Sequence, residues 1–200
     1  MANNPKPAQR VRAAIFNLPN QLTSLRLILS VVLFCFIVWE HYLTSMWLFI
    51  VAAGTDWLDG YYARKYSQVT TLGRILDPFA DKVIVCGTFI FIMAVPEMGK
   101  VPWGLRAWMV VVLVGRELLV TALRSYLEGE GADFSAQMSG KLKMLAQCLA
   151  AVICLFALYR GADRPEALSW SLDVAVWLAV GLTLYSGGAY VLRAIALLRR

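Results

Sequence analysis

Charged residues and histidine are scarce in this 200-residue chain. Charged residues make up 16% of the sequence, against about a quarter in ordinary soluble domains, and the one histidine is His41. Four cysteines occur singly, none in a Cys-x-x-Cys pair. This scarcity argues against a soluble domain, a His/Cys zinc site and a disulfide framework. The net charge is +6, but no basic segment interleaved with aromatic residues stands outside the apolar runs, so nucleic-acid binding is not expected.

Apolar residues make up 60% of the chain, and its mean hydropathy is +0.63. They form six stretches: Leu22–Trp39, Leu43–Tyr62, Ile75–Val95, Ala107–Leu127, Leu142–Tyr159 and Val174–Leu198. A helix needs about 20 mostly apolar residues to cross a bilayer. The alternation of membrane β-strands is missing from these runs. The sequence therefore predicts an all-α integral membrane protein with six transmembrane helices.

The lysines and arginines near the ends of these stretches are divided unequally between the two sides. One side carries Lys6, Arg10, Arg12, Arg64, Lys65, Arg74, Arg124, Lys141, Lys143, Arg193, Arg199 and Arg200, and the other carries Lys100, Arg106, Arg160 and Arg164. The more basic side of a membrane protein faces the cytoplasm. Both termini are therefore expected to be cytoplasmic.

Residues 1–21 form a polar, basic N-terminal segment, and residues 22–200 form the expected membrane domain. Within the segment, Pro7–Phe16 mixes arginines with apolar residues, which fits an interfacial helix and an irregular tail equally well. The apolar run after Leu22 contains Arg26 and lacks a small-residue cleavage site, so it is interpreted as a first span and not as a removed signal peptide.

Four aspartates stand inside two adjacent apolar stretches. Asp56 and Asp59 lie near the end of the second stretch, and Asp77 and Asp81 lie at the start of the third. In helices, spacings of three and four residues place each pair on one face, and a hairpin would bring the two faces together. Clustered carboxylates at membrane depth cannot all stay ionised unless some are protonated or a cation is bound. Oxygen ligands of this kind suit a divalent cation, and two such ions can clamp a phosphoryl group. A structural ion-pair network is the competing explanation, but the carboxylates outnumber the cations close to them.

The residues around these aspartates spell a longer pattern, D-x2-D-G-x2-A-R-x8-G-x3-D-x3-D, from Asp56 to Asp81. It resembles the signature of the CDP-alcohol phosphotransferase family at all eight fixed positions. The resemblance implies a polar cavity open to the cytoplasm, and two Mg²⁺ or Mn²⁺ ions held by Asp56, Asp59, Asp77 and Asp81. It also implies that Asp81 is the general base. The implied contacts to the CDP-lipid are Asn20, Thr23, Arg26, Gly60, Arg64, Thr70 and Gly73. For Asn20, Thr23 and Thr70, helix capping or bonding to the backbone is an equal alternative.

Within that family the chain most resembles the bacterial phosphatidylglycerophosphate synthases. The supporting segments are Asn17–Arg26, Gly115–Leu118 with Ala122–Arg124, and Gly140–Lys143; Met144 departs from a threonine common in that group. The resemblance implies CDP-diacylglycerol as donor, glycerol 3-phosphate as acceptor, a homodimer and a place among the lipids of the bacterial cytoplasmic membrane.

The cations of the fourth and fifth stretches are the candidates for binding the acceptor's phosphate. They are Arg116, Arg124, Lys141 and Lys143. Competing explanations are an ion pair of Arg116 with Glu117, and lysines that only mark the cytoplasmic side.

Three other functions remain open from the sequence. Transfer to inositol or inositol phosphate and transfer to phosphatidylglycerol would use the same aspartates. A small cation transporter would also explain carboxylates at membrane depth. It would not explain Gly60, Arg64 and Gly73 at their spacings.

Overall fold

The computed structural model describes the backbone of residues 18–66, 73–101, 104–129 and 138–198. It describes the side chains of residues 21, 23–54, 78–101, 104–127, 129 and 140–197. All regular structure in these ranges is helical. The helices are α1 (Leu18–Val38), α2 (Tyr42–Tyr66), α3 (Gly73–Ala94), the one-turn α4 (Pro96–Gly99), α5 (Ala107–Gly129), α6 (Met138–Arg160) and α7 (Glu166–Leu198), with a 3₁₀ turn at Gly161–Asp163. The all-α prediction is therefore confirmed for the described residues.

The six long helices coincide with the six predicted apolar stretches, apart from their ends. The largest difference is in α7, which begins at Glu166 where the apolar stretch begins at Val174. The first two turns of α7 are polar, with Ser169, Ser171 and Asp173, and polar residues lower the local hydropathy without preventing a helix. Pro165 precedes this helix, where a missing N–H costs nothing.

Two helical stretches of the described residues are long and apolar enough to cross a membrane by length and composition. They are Gly140–Asp163 and Glu166–Leu197. Thr23–Val38 and Tyr42–Gly54 are shorter apolar helices. In α3 and α5 the apolar run is interrupted by charged pairs, Asp81–Lys82 and Arg116–Glu117.

α6 lies at the centre of the bundle, where it packs against α7, α2 and α3, while α1 packs against α2 and α3. Its buried face is lined with small residues, Ala150, Ala151, Cys154 and Ala157, which let neighbouring helices approach closely. Large apolar side chains such as Val111, Tyr185 and Leu192 remain exposed on the outside. An apolar exterior around a close-packed interior is what a bilayer as solvent favours.

Several buried charged and polar side chains come together between the helices. Arg26 and Lys143 lie in the first halves of α1 and α6, Glu117 lies at the middle of α5, and Ser186 lies in the second half of α7. Hydrogen bonds connect Lys143 to Glu117, and Arg116 joins Glu117 to Ser186, while Arg26 is bound to Asp81. The four predicted aspartates lie in the second half of α2 and the first half of α3.

Candidate active site

Asp81 is joined to Arg26 by an ion pair that connects α3 to α1. Nη1 of Arg26 donates to Oδ1 of Asp81 over 2.7 Å, and the two side chains are 5% and 31% exposed, respectively. A buried guanidinium requires such a partner, because removing a charge from water is costly. The structure thus brings together a residue predicted to bind the CDP-lipid and the predicted general base.

The other three aspartates lie in continuous helix, which supports the spacing argument for the backbone. Asp56 and Asp59 fall within α2, and Asp77 falls within α3 with Asp81. Each pair therefore shares one helix face. The side chains of Asp56, Asp59 and Asp77 lie outside the described residues, and the described side chains by themselves include no group of three or more possible metal ligands.

The remaining predicted CDP-lipid contacts are described unevenly. Thr23 is buried on α1, one turn before Arg26. The side chains of Asn20 and Arg64 lie outside the described residues, as do the surroundings of Gly60 and Gly73. Thr70 lies outside the described residues altogether.

A cavity of about 110 Å³ opens beside Asp81. Its lining consists of Asp81, Lys82 and Val85 from α3, Glu117 from α5, and Lys143, Met144 and Gln147 from α6. Five of these seven residues are charged or carry an amide, inside a chain that is otherwise strongly apolar. Polar groups inside a membrane bundle usually mark a binding site or pathway.

Glu117 is the buried anion of this cavity. Its Oε1 accepts a hydrogen bond from Nζ of Lys143 and another from Nη1 of Arg116 at 3.2 Å. The three side chains are all nearly buried. Since a lone buried charge is unfavourable, this carboxylate holds two cations from two helices in fixed positions.

Arg116 reaches past Glu117 to α7. Its Nη2 donates to the hydroxyl of Ser186 at 2.9 Å, and its guanidinium carbon lies 5.5 Å from the centre of the Tyr190 ring. That geometry is within the range of a cation–π contact. Gly187 leaves room for this side chain, because a Cβ there would come within 2.9 Å of Cγ of Arg116.

The four cations predicted to bind the acceptor's phosphate therefore occupy different places. Lys143 lines the cavity, and Arg116 stands behind it, connected through Glu117. The described cavity lining does not include Arg124, which is half-buried, or Lys141, which is exposed. The ion pair between Arg116 and Glu117, raised from the sequence as a competing explanation, is present.

Besides Glu117, which the sequence suggested only as an ion-pair partner of Arg116, two polar cavity residues were not predicted as site residues. Lys82 follows Asp81 directly, and its Nζ donates to the carbonyl of Pro78 at 3.1 Å. Gln147 stands four residues after Lys143, on the same face of α6. Both are polar residues within apolar stretches, and that position was the signal that could have identified them.

Comparison with known proteins identifies the family of the chain. A family model described as CDP-alcohol phosphatidyltransferase matches residues 16–185. The CDP-diacylglycerol–glycerol-3-phosphate 3-phosphatidyltransferase of Bacillus subtilis is 37% identical over 192 residues, covering 88% of this chain and 94% of its own. Proteins of the same name from Pseudomonas fluorescens (36% over 178 residues, 85% and 86% covered) and Pectobacterium atrosepticum (34% over 190 residues, 88% and 93% covered) are also similar.

The family model spans most of the chain, and these relatives align with most of its length. The resemblance inferred from the aspartate signature is thereby confirmed: the chain belongs to the CDP-alcohol phosphatidyltransferase family.

Proposed function

We propose that this protein transfers the phosphatidyl group of CDP-diacylglycerol to glycerol 3-phosphate, giving phosphatidylglycerol phosphate and CMP. The relatives named above carry this activity in their names. The structural observation that carries the proposal is the cavity whose lining includes the carboxylate residue Asp81 together with two lysines, Lys82 and Lys143. An acceptor with one hydroxyl to be activated and one phosphate to be held needs these two kinds of group.

In the reaction, the acceptor's hydroxyl oxygen bonds to the phosphorus nearest the lipid. The bond from that phosphorus to the bridging oxygen breaks, and CMP leaves with this oxygen. Asp81 accepts the hydroxyl proton, and Arg26 fixes the orientation of its carboxylate through their 2.7 Å contact. Lys143, itself held by Glu117, attracts the acceptor's phosphate. Positioning and charge neutralisation supply most of the rate enhancement in such transfers.

The chemistry of the donor set fits hard divalent cations. Carboxylate oxygens are ligands that Mg²⁺ and Mn²⁺ prefer, and the helical backbone keeps Asp56 with Asp59 and Asp77 with Asp81 on shared faces. These four residues would hold two ions, which neutralise the negative charge of the donor's diphosphate. Around them, Asn20, Thr23, Arg26, Gly60, Arg64, Thr70 and Gly73 would bind the CDP-lipid. Arg116, Arg124 and Lys141 would add positive potential for the acceptor.

The setting of this reaction is a bacterial cytoplasmic membrane, crossed six times, with both termini and the cavity on the cytoplasmic side. Support comes from the exposed apolar exterior, from the two helices long enough to cross and from the unequal division of cations. In this arrangement the donor's acyl chains stay among the lipids while its headgroup enters the cavity. The functional unit is a homodimer.

CMP release by detergent-purified protein tests the proposal. The assay contains CDP-diacylglycerol and MgCl₂ with one acceptor at a time: glycerol 3-phosphate, inositol, inositol phosphate, serine or phosphatidylglycerol. We expect release with glycerol 3-phosphate alone, abolished by a chelator and reduced roughly a hundredfold or more by Asp81→Asn. Asp163→Asn removes an exposed carboxylate from the 3₁₀ turn and serves as the matched control, with activity unchanged.

The acceptor panel separates the alternatives. Release with another acceptor would retain the chemistry and overturn the choice of glycerol 3-phosphate. A folded protein that releases no CMP with any acceptor would contradict the transferase function and favour cation transport.

A further inference from the structure

Gln147 occupies a wall of the cavity that the mechanism above does not use. Its residue is 2% exposed, and its side chain lines the same cavity as Asp81 and Lys143. On α6 it stands one turn beyond Lys143, so both side chains point to the same side of the helix. A buried amide beside a reaction cavity requires partners for both its oxygen and its nitrogen.

The orientation of this amide follows from its neighbours on α7. The hydroxyl of Thr183 donates its single hydrogen to the carbonyl of Ala179 over 2.6 Å. Toward Gln147 it can therefore only accept, and Nε2 of Gln147 donates to it over 3.1 Å. One of the two N–H groups of the amide is thus bound to α7.

The oxygen of a planar amide points away from its nitrogen. Gln147 lines the cavity together with residues of α3, α5 and α6 and none of α7, so with the nitrogen bound to α7 the oxygen is the amide atom left for a ligand in the cavity. A carbonyl oxygen accepts hydrogen bonds and repels the oxygens of a phosphate. The group that satisfies it must be a donor, and in a small phosphorylated alcohol the available donor is a hydroxyl.

We propose that Gln147 accepts a hydrogen bond from the hydroxyl of glycerol 3-phosphate that does not react, and so determines specificity for the acceptor. This inference rests on the proposed function and assigns cavity residues to each of the three polar groups of that molecule. Lys82 and Lys143 face the phosphate, Asp81 takes the proton of the reacting hydroxyl, and Gln147 recognises the second hydroxyl.

The test compares glycerol 3-phosphate with 3-hydroxypropyl phosphate, which lacks only the second hydroxyl. For the unchanged protein, kcat/KM is expected to be roughly three- to tenfold higher with glycerol 3-phosphate, the range of one neutral hydrogen bond. In Gln147→Met, an unbranched replacement of similar length, the two acceptors should become equal, while the KM for CDP-diacylglycerol stays unchanged. Thr88→Val is the control. It removes a buried hydroxyl that lies outside the cavity lining and donates to the carbonyl of Ile84 in its own helix, so the discrimination between the two acceptors should persist.

Thr183→Val supplies a second, independent variant. It keeps Gln147 and removes the group that orients the amide, so discrimination should fall part of the way. The inference would be overturned if the ratio of kcat/KM between the two acceptors stayed unchanged in Gln147→Met, whether or not kcat/KM itself fell. If Gln147→Met does not fold, full discrimination in Thr183→Val would overturn it instead. CMP release by the unchanged protein with a different acceptor only would refute the proposed function and this inference with it, a result distinct from the others.

Discussion

Glu117 shows how one residue can hold a polar site together inside an apolar bundle. Its carboxylate faces Arg116 and Lys143, and all three side chains are nearly buried. Each cation alone would be costly at this depth, and the shared anion removes most of that cost. The same charge also keeps Lys143 at the cavity wall, so stability and function depend on one carboxylate.

The Glu117→Gln variant is expected to lose about 3 to 5 kcal/mol of unfolding free energy, because it leaves two buried cations facing a neutral amide. Thermal unfolding in a single detergent measures the effect. Glu97→Gln is the matched control: its partner Lys100 lies 3.9 Å away with both side chains exposed. A pair of that kind contributes less than about 1 kcal/mol. Equal shifts for the two variants would refute the assignment of Glu117.

At the scale of helices, α5 and α7 meet where Arg116 fits against a glycine. A Cβ on Gly187 would come within 2.9 Å of Cγ of Arg116, whereas a Cβ on the adjacent Gly188 would meet nothing within 4 Å. Alanine favours a helix over glycine by about 1 kcal/mol, so both substitutions share that gain. The two substitutions differ only in their contacts: the added methyl group would clash with Arg116 at position 187 and contact nothing at position 188.

Gly187→Ala is therefore expected to displace Arg116 from Ser186 and Tyr190 and to raise the KM for glycerol 3-phosphate several-fold. Gly188→Ala should leave that KM unchanged and stabilise the protein by up to about 1 kcal/mol. Steady-state kinetics and thermal unfolding of the two variants check this. An unchanged KM in Gly187→Ala would show that the position of Arg116 does not influence acceptor binding.

The helices could be predicted from the sequence because their signals are local. Apolar runs and turn residues gave the six long helices, and the spacing of Asp77 and Asp81 gave their shared face. Which cations face the cavity could not be predicted. Arg116 donates a hydrogen bond to Ser186, 70 residues later in the chain, and the orientation of Gln147 depends on its hydrogen bond to Thr183, 36 residues later. Such contacts depend on how each helix is rotated against its neighbours, and the sequence of one helix does not contain that rotation.

At the scale of the whole molecule, the proposed orientation depends on whether α5 crosses the membrane. Charges within α5 interrupt its apolar run. Among the described residues, α5 is not one of the two helical stretches that are long and apolar enough to cross a membrane. Yet α5 places Glu117, with Arg116 bound to it, at the cavity that Asp81 and Lys143 also line. If α5 crosses the membrane, its charges are stabilised by the ion pairs of Glu117 with Arg116 and Lys143 and not by water.

Labelling of introduced cysteines tests this crossing. Lys100 and Lys141 are both exposed, and α5 is the long helix between them. With the four native cysteines replaced by alanine, a membrane-impermeant maleimide should label the Lys100→Cys variant in intact cells. It should label Lys141→Cys only after permeabilisation, because the more basic side faces the cytoplasm. Labelling of both from the same side would show that α5 does not cross, and the reverse pattern would place the cavity on the outer face. Either result would refute the proposed topology, whereas the expected one would place Lys143 and Asp81 at the cytoplasmic face.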